Sequence, residues 1–486
     1  MAEPLYLGID IGTSSAKCLA VAEDGAMVAF AQHPYPLAHP REGWAEQNPE
    51  DYWLALVQVV NHCLRDCREK GRTERAIRSL AMSTQGDTLI VTDDAGLPLA
   101  PAISWMDKRA DTEYRELLAE TGARFWYRET GQLLTVFSSA CKLRWIARND
   151  AELRARIARC CYVPDFLAKR LCGKFATDVP SASWSPLYTP TKRNWSRQVI
   201  DLLGIPADSL PLAAESGTDI GELLSEAAAQ LHLDRNVRLV AGAFDQSAAA
   251  HGAGATAGGR SVLSCGTAWV LYSVSSSPIV DNLERVPVCC HTSPSEWGMV
   301  LPFTGNSAYD WLLRNLGNTE TGSSTDAAPP VFIPHVYGGL SPDWRAESKG
   351  SILGLTLAHT PRDLKLALMR GLAFEARRNM EEAERLAGHV GSVRMVGGAG
   401  KSDLWPQLIA NILNRPIEVT DCVESACYGA AKIAAGSVSA AWTGTDRVHA
   451  VAPVPGDVEV EERRYAQYLN FYEALLPLYE SEGAEQ

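Results

Sequence analysis

Residues 5–17 read LYLGIDIGTSSAK: an apolar strand that ends on Asp10, a turn through Gly12, Thr13 and Ser14, and a return into a second apolar stretch, Cys18-Leu19-Ala20-Val21. The turn joins two strands, and its composition suits a phosphorylated nucleotide. Gly12 puts no side chain in the way of a close approach, so successive backbone N–H groups can face phosphate oxygens, and the hydroxyls of Thr13 and Ser14 add donors. Asp10 places a carboxylate where it can hold Mg2+, directly or through water, because a hard cation takes oxygen ligands. Neither GxxxxGK[ST] opening a helix nor GxGxxG occurs here, which excludes the P-loop and the dinucleotide fingerprint for this segment.

On its own such a turn is equally an ordinary hairpin. A second copy changes the reading: residues 260–274, RSVLSCGTAWVLYSV, repeat strand, Gly-Thr-small and strand, with Gly266 about half a chain beyond Gly12. An internal duplication of a phosphate-facing turn predicts two similar domains closing on one nucleotide. The 486 residues exceed what one core usually supports and agree with two domains. No run approaches the ~20 apolar residues of a membrane span, and the chain opens on a strand rather than a signal peptide, so a cytoplasmic protein is expected. The net charge of −13, with Lys and Arg scattered, argues against a nucleic-acid groove. The close cysteine sets are Cys63/Cys67, Cys160/Cys161, Cys289/Cys290 and Cys422/Cys427. None has C-x-x-C spacing, which reads as reduced structural thiols rather than a zinc site or disulfides.

The first thirty residues predict three strands, followed by a helix with Asn48 as N-cap, Pro49 in its first turn and an apolar stripe of Trp53, Leu56, Val57, Val60 and Leu64. Residues 77–91 form another β unit, interrupted by the polar insert Ser83-Thr84-Gln85-Gly86-Asp87-Thr88. Residues 110–173 are mainly helical and 175–195 irregular, while a strand over 236–243 delivers Phe244, Asp245 and Gln246 to an Ala-rich helix near the domain boundary. In the second half, Thr360 and Pro361 open a helix that runs to about Ala387 and stops at Gly388. A strand over 393–396 then enters the glycine turn 397–402, and a small-residue helix covers 425–435.

Phosphoryl transfer needs a phosphate clamp, a metal, and a group that takes the proton of the attacking hydroxyl. Asp245 is the candidate base, because side chains at the C-terminal end of a strand project into the crevice of an α/β domain; an N-cap role is the plainer alternative. Gly397, Gly398, Ala399 and Ser402 suit an adenosine seat, with Asn411 one helical face later; a tight strand-to-helix turn is again the plainer reading. Trp105, Asp107 and Arg109 combine an aromatic plane with hydrogen-bonding groups of the kind polyols need, and Asp87 after Gln85 and Gly86 can accept two hydroxyls. Core packing, a surface ion pair and a solvated acid are the ordinary fates of such residues.

Taken together these residues resemble the FGGY family of carbohydrate kinases. GIDIGTSSAK matches its first phosphate motif, GWAEQNPEDYW its early helix, WMDKR its W-x-D-x-R element, GAFDQ its catalytic-aspartate segment, SCGTA its second phosphate motif, and GGAGKS with NILNRPIEV its adenosine motif. The resemblance implies an α/β fold of two actin-like, RNase H-like domains with ATP in the cleft between them. The N-terminal domain, 1–248, would bind the sugar and the C-terminal domain, 249–486, would carry the second hairpin and the adenosine motif. By the same resemblance Gly12, Thr13, Ser14, Lys17, Gly266, Thr267, Gly305, Gly397, Gly398, Ala399, Ser402 and Asn411 would contact ATP. Gln85, Gly86, Asp87, Trp105, Asp107, Asp245 and Gln246 would contact the substrate, and Asp10 with Asp245 would serve Mg2+. The implied activity is transfer of the γ-phosphoryl group to a small ketose or polyol, with no nucleic-acid or membrane partner and a homodimer as the candidate assembly.

Gln85-Gly86-Asp87 stands where xylulokinases show Q-M-H, and Gln246 is similar to glycerol kinases. Arg370 stands where an acid is usual, and 334–344 lack a Gly-Glu-Arg run. These departures leave the sugar open. An actin-like ATPase or chaperone module would share both hairpins but not need the groups at 85–87 or 105–109, and a non-catalytic sugar sensor would have lost Asp10 or Asp245.

Overall fold

The computed structural model describes residues 3–316, 328–420, 424–438 and 448–483, so Cys422 lies outside the described residues. Two sheets of one design carry the chain. In the first, the hairpin Leu5–Ile11/Ser15–Ala22 continues antiparallel into Met27–Pro34, while on its other side Leu5–Ile11 pairs in parallel with Ile77–Thr84 and that strand with Arg238–Phe244. In the second, the hairpin Arg260–Cys265/Ala268–Ser275 continues antiparallel into Trp297–Thr304, while Arg260–Cys265 pairs in parallel with Ser392–Gly397 and that strand with Ile417–Thr420. An antiparallel strand closes each parallel side, Asp219–Glu222 in one sheet and Val448–Val451 in the other. This is the duplicated α/β architecture expected from the two hairpin motifs.

The two-residue period of a strand decides which residues meet which layer. Leu5, Leu7, Ile9 and Ile11 enter the core beneath helix Pro49–Glu69, which buries Tyr52, Leu56, Val59, Val60 and Leu64; Val57 of the expected stripe sits at its margin. The helix starts as expected, with Asn48 Oδ1 accepting from the Glu50 amide at 3.2 Å. Tyr6 and Gly8 face the opposite side, and there the cover comes from the second half of the chain. Helix Ser425–Val438 lies on the first sheet, with Ala430, Ile433 and Ala434 against Tyr6 and Ala81. Asp10 continues the row of Tyr6 and Gly8, so the same alternation points it toward the start of that helix.

Helix Ser425–Val438 also packs against helix Asp245–Gly252 with almost no side chain between them. A Cβ on Gly252 would fall 2.0 Å from the Ser425 carbonyl oxygen, and one on Gly429 would fall 1.9 Å from the Ala248 carbonyl oxygen. The Ala-rich composition of both helices thus has a use: it lets two backbones from opposite halves touch beside the site.

Residues 175–195, expected to be irregular, hold the short helix Val179–Trp184, capped by Asp178, whose Oδ1 accepts from the Ser181 amide at 2.7 Å. Its last residue, Trp184, stacks on Phe244 at a centroid distance of 4.6 Å. In the second half, helix Pro361–Ala387 keeps the predicted limits, with a capping box from Thr360 and Asp363 and Gly388 as its stop. None of the described helices is long and apolar enough to cross a membrane.

Candidate active site

Three parallel strands of the first sheet end side by side, and each delivers a polar group. Asp10 on the first strand is opposite Ser83 on the second, whose hydroxyl donates to Asp10 Oδ1 at 2.8 Å. The third strand ends at Phe244, which caps helix Asp245–Gly252 by its backbone, so Asp245 is the first residue of the helix and not its N-cap. Asp245 Oδ1 has no hydrogen-bond partner in the fold although it is buried. Burial lifts the Asp245 carboxyl to about 7, and the negative charge of nearby Asp10 adds to the rise. Burial raises Asp10 as well, while Ser83 and Lys17 pull it back. The two acids are therefore close enough to resist simultaneous ionisation, which is the electrostatic situation a cation relieves.

The first turn is braced through its carbonyl oxygens. Gly12 O accepts from the Tyr35 hydroxyl, Thr13 O from Gln47 Nε2 at 2.8 Å, and Ser14 O from the Tyr35 amide at 3.1 Å. The amides of Thr13 and Ser14 donate to no acceptor among the described residues. The turn consequently presents N–H groups outward, as an anion cradle must. The Trp105 indole donates to Thr13 Oγ1 at 2.9 Å, which ties the W-x-D-x-R segment to the phosphate turn. Lys17, opposite Asp10 in the hairpin register, forms an ion pair of 2.7 Å with Glu424, the residue before helix Ser425–Val438.

The second turn, Gly266 and Thr267, is exposed, and its carbonyls accept from the amides of Asn306 and Ser307 at 3.2 and 3.0 Å. Gly305 is packed against Trp269 of the same hairpin. Gly397 ends a neighbouring strand with φ 98°, and Gly398 is exposed. Ser402 lines a cavity of about 430 Å³ with Gly400, Lys401, Asp403, Val419 and His449.

On the other side of the Trp184/Phe244 stack lies the polar insert. Gly86 is wedged there: a Cβ on it would meet Trp184 at 2.2 Å and Phe244 at 2.8 Å. Asp87 follows with Oδ2 accepting from the Ser139 amide at 2.9 Å and Oδ1 unpartnered. Burial brings its carboxyl up to about 6. Gln246 is half-buried beside Asp245.

Three of the expected contact residues are already engaged within the fold. Asp107 is fully buried and accepts from the Ala45 amide at 2.6 Å and from the Arg109 side chain at 2.9 and 2.8 Å, so its carboxylate is committed within the fold. Gln85 is buried in a network with Gln47, Tyr52 and Thr88. Asn411 joins its helix to the C-terminal one, accepting from the Val454 amide at 2.9 Å and donating to Asp457 at 3.2 Å. Each is satisfied by the chain itself, so neither sugar nor nucleotide is needed to explain it. Arg370 pairs with Glu461 at 3.0 Å. The sequence reading passed over Ser83, Lys142, Trp184 and Glu424. Only Ser83 carried a signal, as part of the polar insert, since the others depend on packing between distant segments.

The family description "FGGY family of carbohydrate kinases, N-terminal domain" matches residues 5–252, and its C-terminal counterpart matches 261–438. Relatives include the xylulose kinase of Escherichia coli (strain K12), 28% identical over 85% of this chain and 86% of that one. The glycerol kinase of Polaromonas naphthalenivorans (strain CJ2) is 27% identical over 91% and 92%, and the gluconokinase of Bacillus subtilis (strain 168) 24% identical over 87% and 86%. Among solved structures, a xyloylose kinase from Brucella ovis superposes with a TM-score of 0.91 at 27% identity, covering 98% of this chain and 100% of its own.

Proposed function

The chain belongs to the FGGY family of carbohydrate kinases, and from that premise we propose that Asp245 is the general base of an ATP-dependent sugar or polyol kinase whose Asp10 serves the metal. The observation that carries the reading is the pair of acids raised by burial, Asp10 and Asp245, with the charge of Asp10 adding to the rise of Asp245 and Asp245 Oδ1 left without a hydrogen-bond partner. An unpartnered carboxylate oxygen beside a second carboxylate fits a site for a divalent cation and a hydroxyl, so Asp10 and Asp245 are the residues that would hold Mg2+. When bound, Mg2+ would neutralise charge on the transferring phosphoryl group.

ATP is taken to lie between residues 1–248 and 249–486. The outward amides of Thr13 and Ser14 and the turn at Gly266 and Thr267 would cradle its phosphates. Gly305, Gly397, Gly398, Ala399 and Ser402 would form the adenosine side. The sugar or polyol would lie near Gly86, Asp87, Trp105 and Gln246. Asp245 Oδ1 accepts the proton of the attacking hydroxyl as its oxygen forms a bond to the γ-phosphorus and ADP leaves. A carboxyl held near 7 is matched to that task at neutral pH, where both its forms are populated. Lys17 would leave Glu424 to meet phosphate charge. A cytoplasmic homodimer belongs to the same reading.

The test is an ATP-coupled assay over ketoses, polyols and aldonates, with nucleotide binding followed separately. Asp245→Ala is expected to abolish phosphorylation of the substrate so found and to leave ATP binding largely intact. Wild-type turnover by that variant would refute the assigned base, and ATP hydrolysis with no phosphorylated small molecule would favour an actin-like ATPase module.

A further inference from the structure

Beyond Asp245, one other carboxylate beside the site has an oxygen with no partner, Oδ1 of Asp87. The rest of Asp87 is held on every side. Its backbone takes φ 54°, a left-handed conformation that a residue with a side chain adopts only when its surroundings insist. The carbonyl oxygen accepts from Lys142 Nζ at 3.2 Å, and Oδ2 accepts from the Ser139 amide at 2.9 Å. Ser139 and Lys142 both stand in the first turns of helix Ser139–Asn149, so a helix N-terminus and an ammonium group act on one residue.

Lys142 has no exposed surface. Lysine is almost never buried completely without a charge to answer it. The charge of Asp87, and after it that of Asp107, acts on Lys142; Asp107 is also hydrogen-bonded to Arg109, which leaves Asp87 as the nearby acid without an arginine of its own. Burial draws Lys142 down to about 8 and lifts Asp87 to about 6, so near pH 7 both carry charge. Next to Gly86, which is wedged against the ring of Phe244, the residue before Asp245, there is therefore an anion with one acceptor oxygen to spare.

Resting on the kinase reading, we infer that Lys142 is a positioning residue that fixes Asp87 as an anionic hydroxyl acceptor, and that the substrate is accordingly a neutral ketose or polyol rather than a sugar acid. A neutral polyol brings the O–H donor that Asp87 Oδ1 lacks. An aldonate of the same length would carry its carboxylate toward the acids Asp87, Asp245 and Asp10, with Lys142 turned to the Asp87 carbonyl oxygen and Lys17 paired to Glu424.

The experiment is steady-state kinetics on the full-length protein with xylulose, erythritol, xylitol, glycerol and gluconate, thermal unfolding reporting whether each variant folds. A neutral compound is expected to exceed gluconate in kcat/KM by roughly a hundredfold or more. Asp87→Asn should raise KM for that compound by roughly tenfold with a much smaller change in kcat, and should narrow the gap to gluconate. Lys142→Met should act in the same direction, and the double variant Asp87→Asn/Lys142→Met should be no worse than the singles, because they remove one interaction. If Lys142→Met alone does not fold, the double variant, which leaves no buried charge unpaired, carries the test. Gluconate as preferred substrate, or a wild-type sugar KM in the folded variants, overturns the inference. No phosphorylation of any compound overturns the kinase reading instead.

Discussion

The two hairpins share a strand order but not a chemistry. Two residues before the glycine of the first turn stands Asp10; at the same place before Gly266 stands Ser264. Across the ladder Asp10 faces Lys17, whereas Ser264 faces Val270. The duplicated scaffold thus repeats the backbone that can receive phosphate, while the charged groups that can act on it stand on one copy only. The helices that follow the parallel strands differ in the same way: Asp245 opens the one in the first half, and the second half answers with Glu424, which is paired to Lys17 of the first.

The sharpest way to break this contrast is to make the two turns alike. Asp10→Asn keeps the shape and the Ser83 hydrogen bond but removes the charge, and is expected to lower kcat by about 10²-fold or more, as loss of a group acting on the transition state does. Ser264→Ala, the matching change in the second turn, should leave kcat within a few-fold. Equal losses from the two variants, measured in the same coupled assay, would show that the halves share the chemistry.

A second line of attack is the seam where the halves meet. Gly429→Val would drive a branched side chain into the Ala248 carbonyl, since even a Cβ would sit 1.9 Å from it. Backbone cannot yield there as a flexible side chain could, so a loss of about 3 kcal/mol or more in unfolding free energy is expected, read as a lowered Tm. Asp245 opens one of the two helices, and activity should fall in the fraction that stays folded. Gly436→Ala, where an added Cβ meets nothing within 4 Å, is the control on the same helix.

This seam also marks the limit of what the sequence discloses. Strand alternation, caps and the two Gly-Thr turns are local, so the hairpins, helix Pro49–Glu69 and helix Pro361–Ala387 could be read residue by residue. The run Ser425-Ala426-Cys427-Tyr428-Gly429-Ala430-Ala431 was legible as a helix of small residues, but the reason for the smallness lies about 180 positions earlier in Ala248 and Gly252. The positions of Asp10 and Asp245 at strand ends were legible too. For Asp107 and Asn411 the sequence is mute on their hydrogen bonds to Arg109 and Asp457, because a polar residue beside a motif reads the same with or without a partner in the fold. Lys142 was hidden for a related reason: a single lysine in an amphipathic helix reads as solvated until packing shows it buried.

A last expected effect, spread over several pH units, concerns the thermodynamic cost of concentrating charge in one half. The folded chain holds the Asp245 proton up to about 7, while an unfolded chain releases it near the usual carboxylate value of roughly 4. Below that lower value the proton is bound in both states and the group is neutral toward folding. As pH rises from roughly 4 to 7 the unfolded state ionises first, so Asp245 progressively lowers stability, and above 7 the penalty is constant. Asp245→Asn does not titrate. It should therefore unfold like the wild type near pH 4 and gain on it steadily up to pH 8, where a shift of this size corresponds to at most about 4 kcal/mol. The same substitution at a position with no charge to relieve, Ser264→Asn in the second turn, should show no such pH-dependent gain. Denaturant melts of the three proteins across this range decide it: a constant offset between Asp245→Asn and wild type at every pH would mean that the acid is not held above its ordinary range, and the assignment of Asp245 as a base poised near neutrality would lose its physical ground.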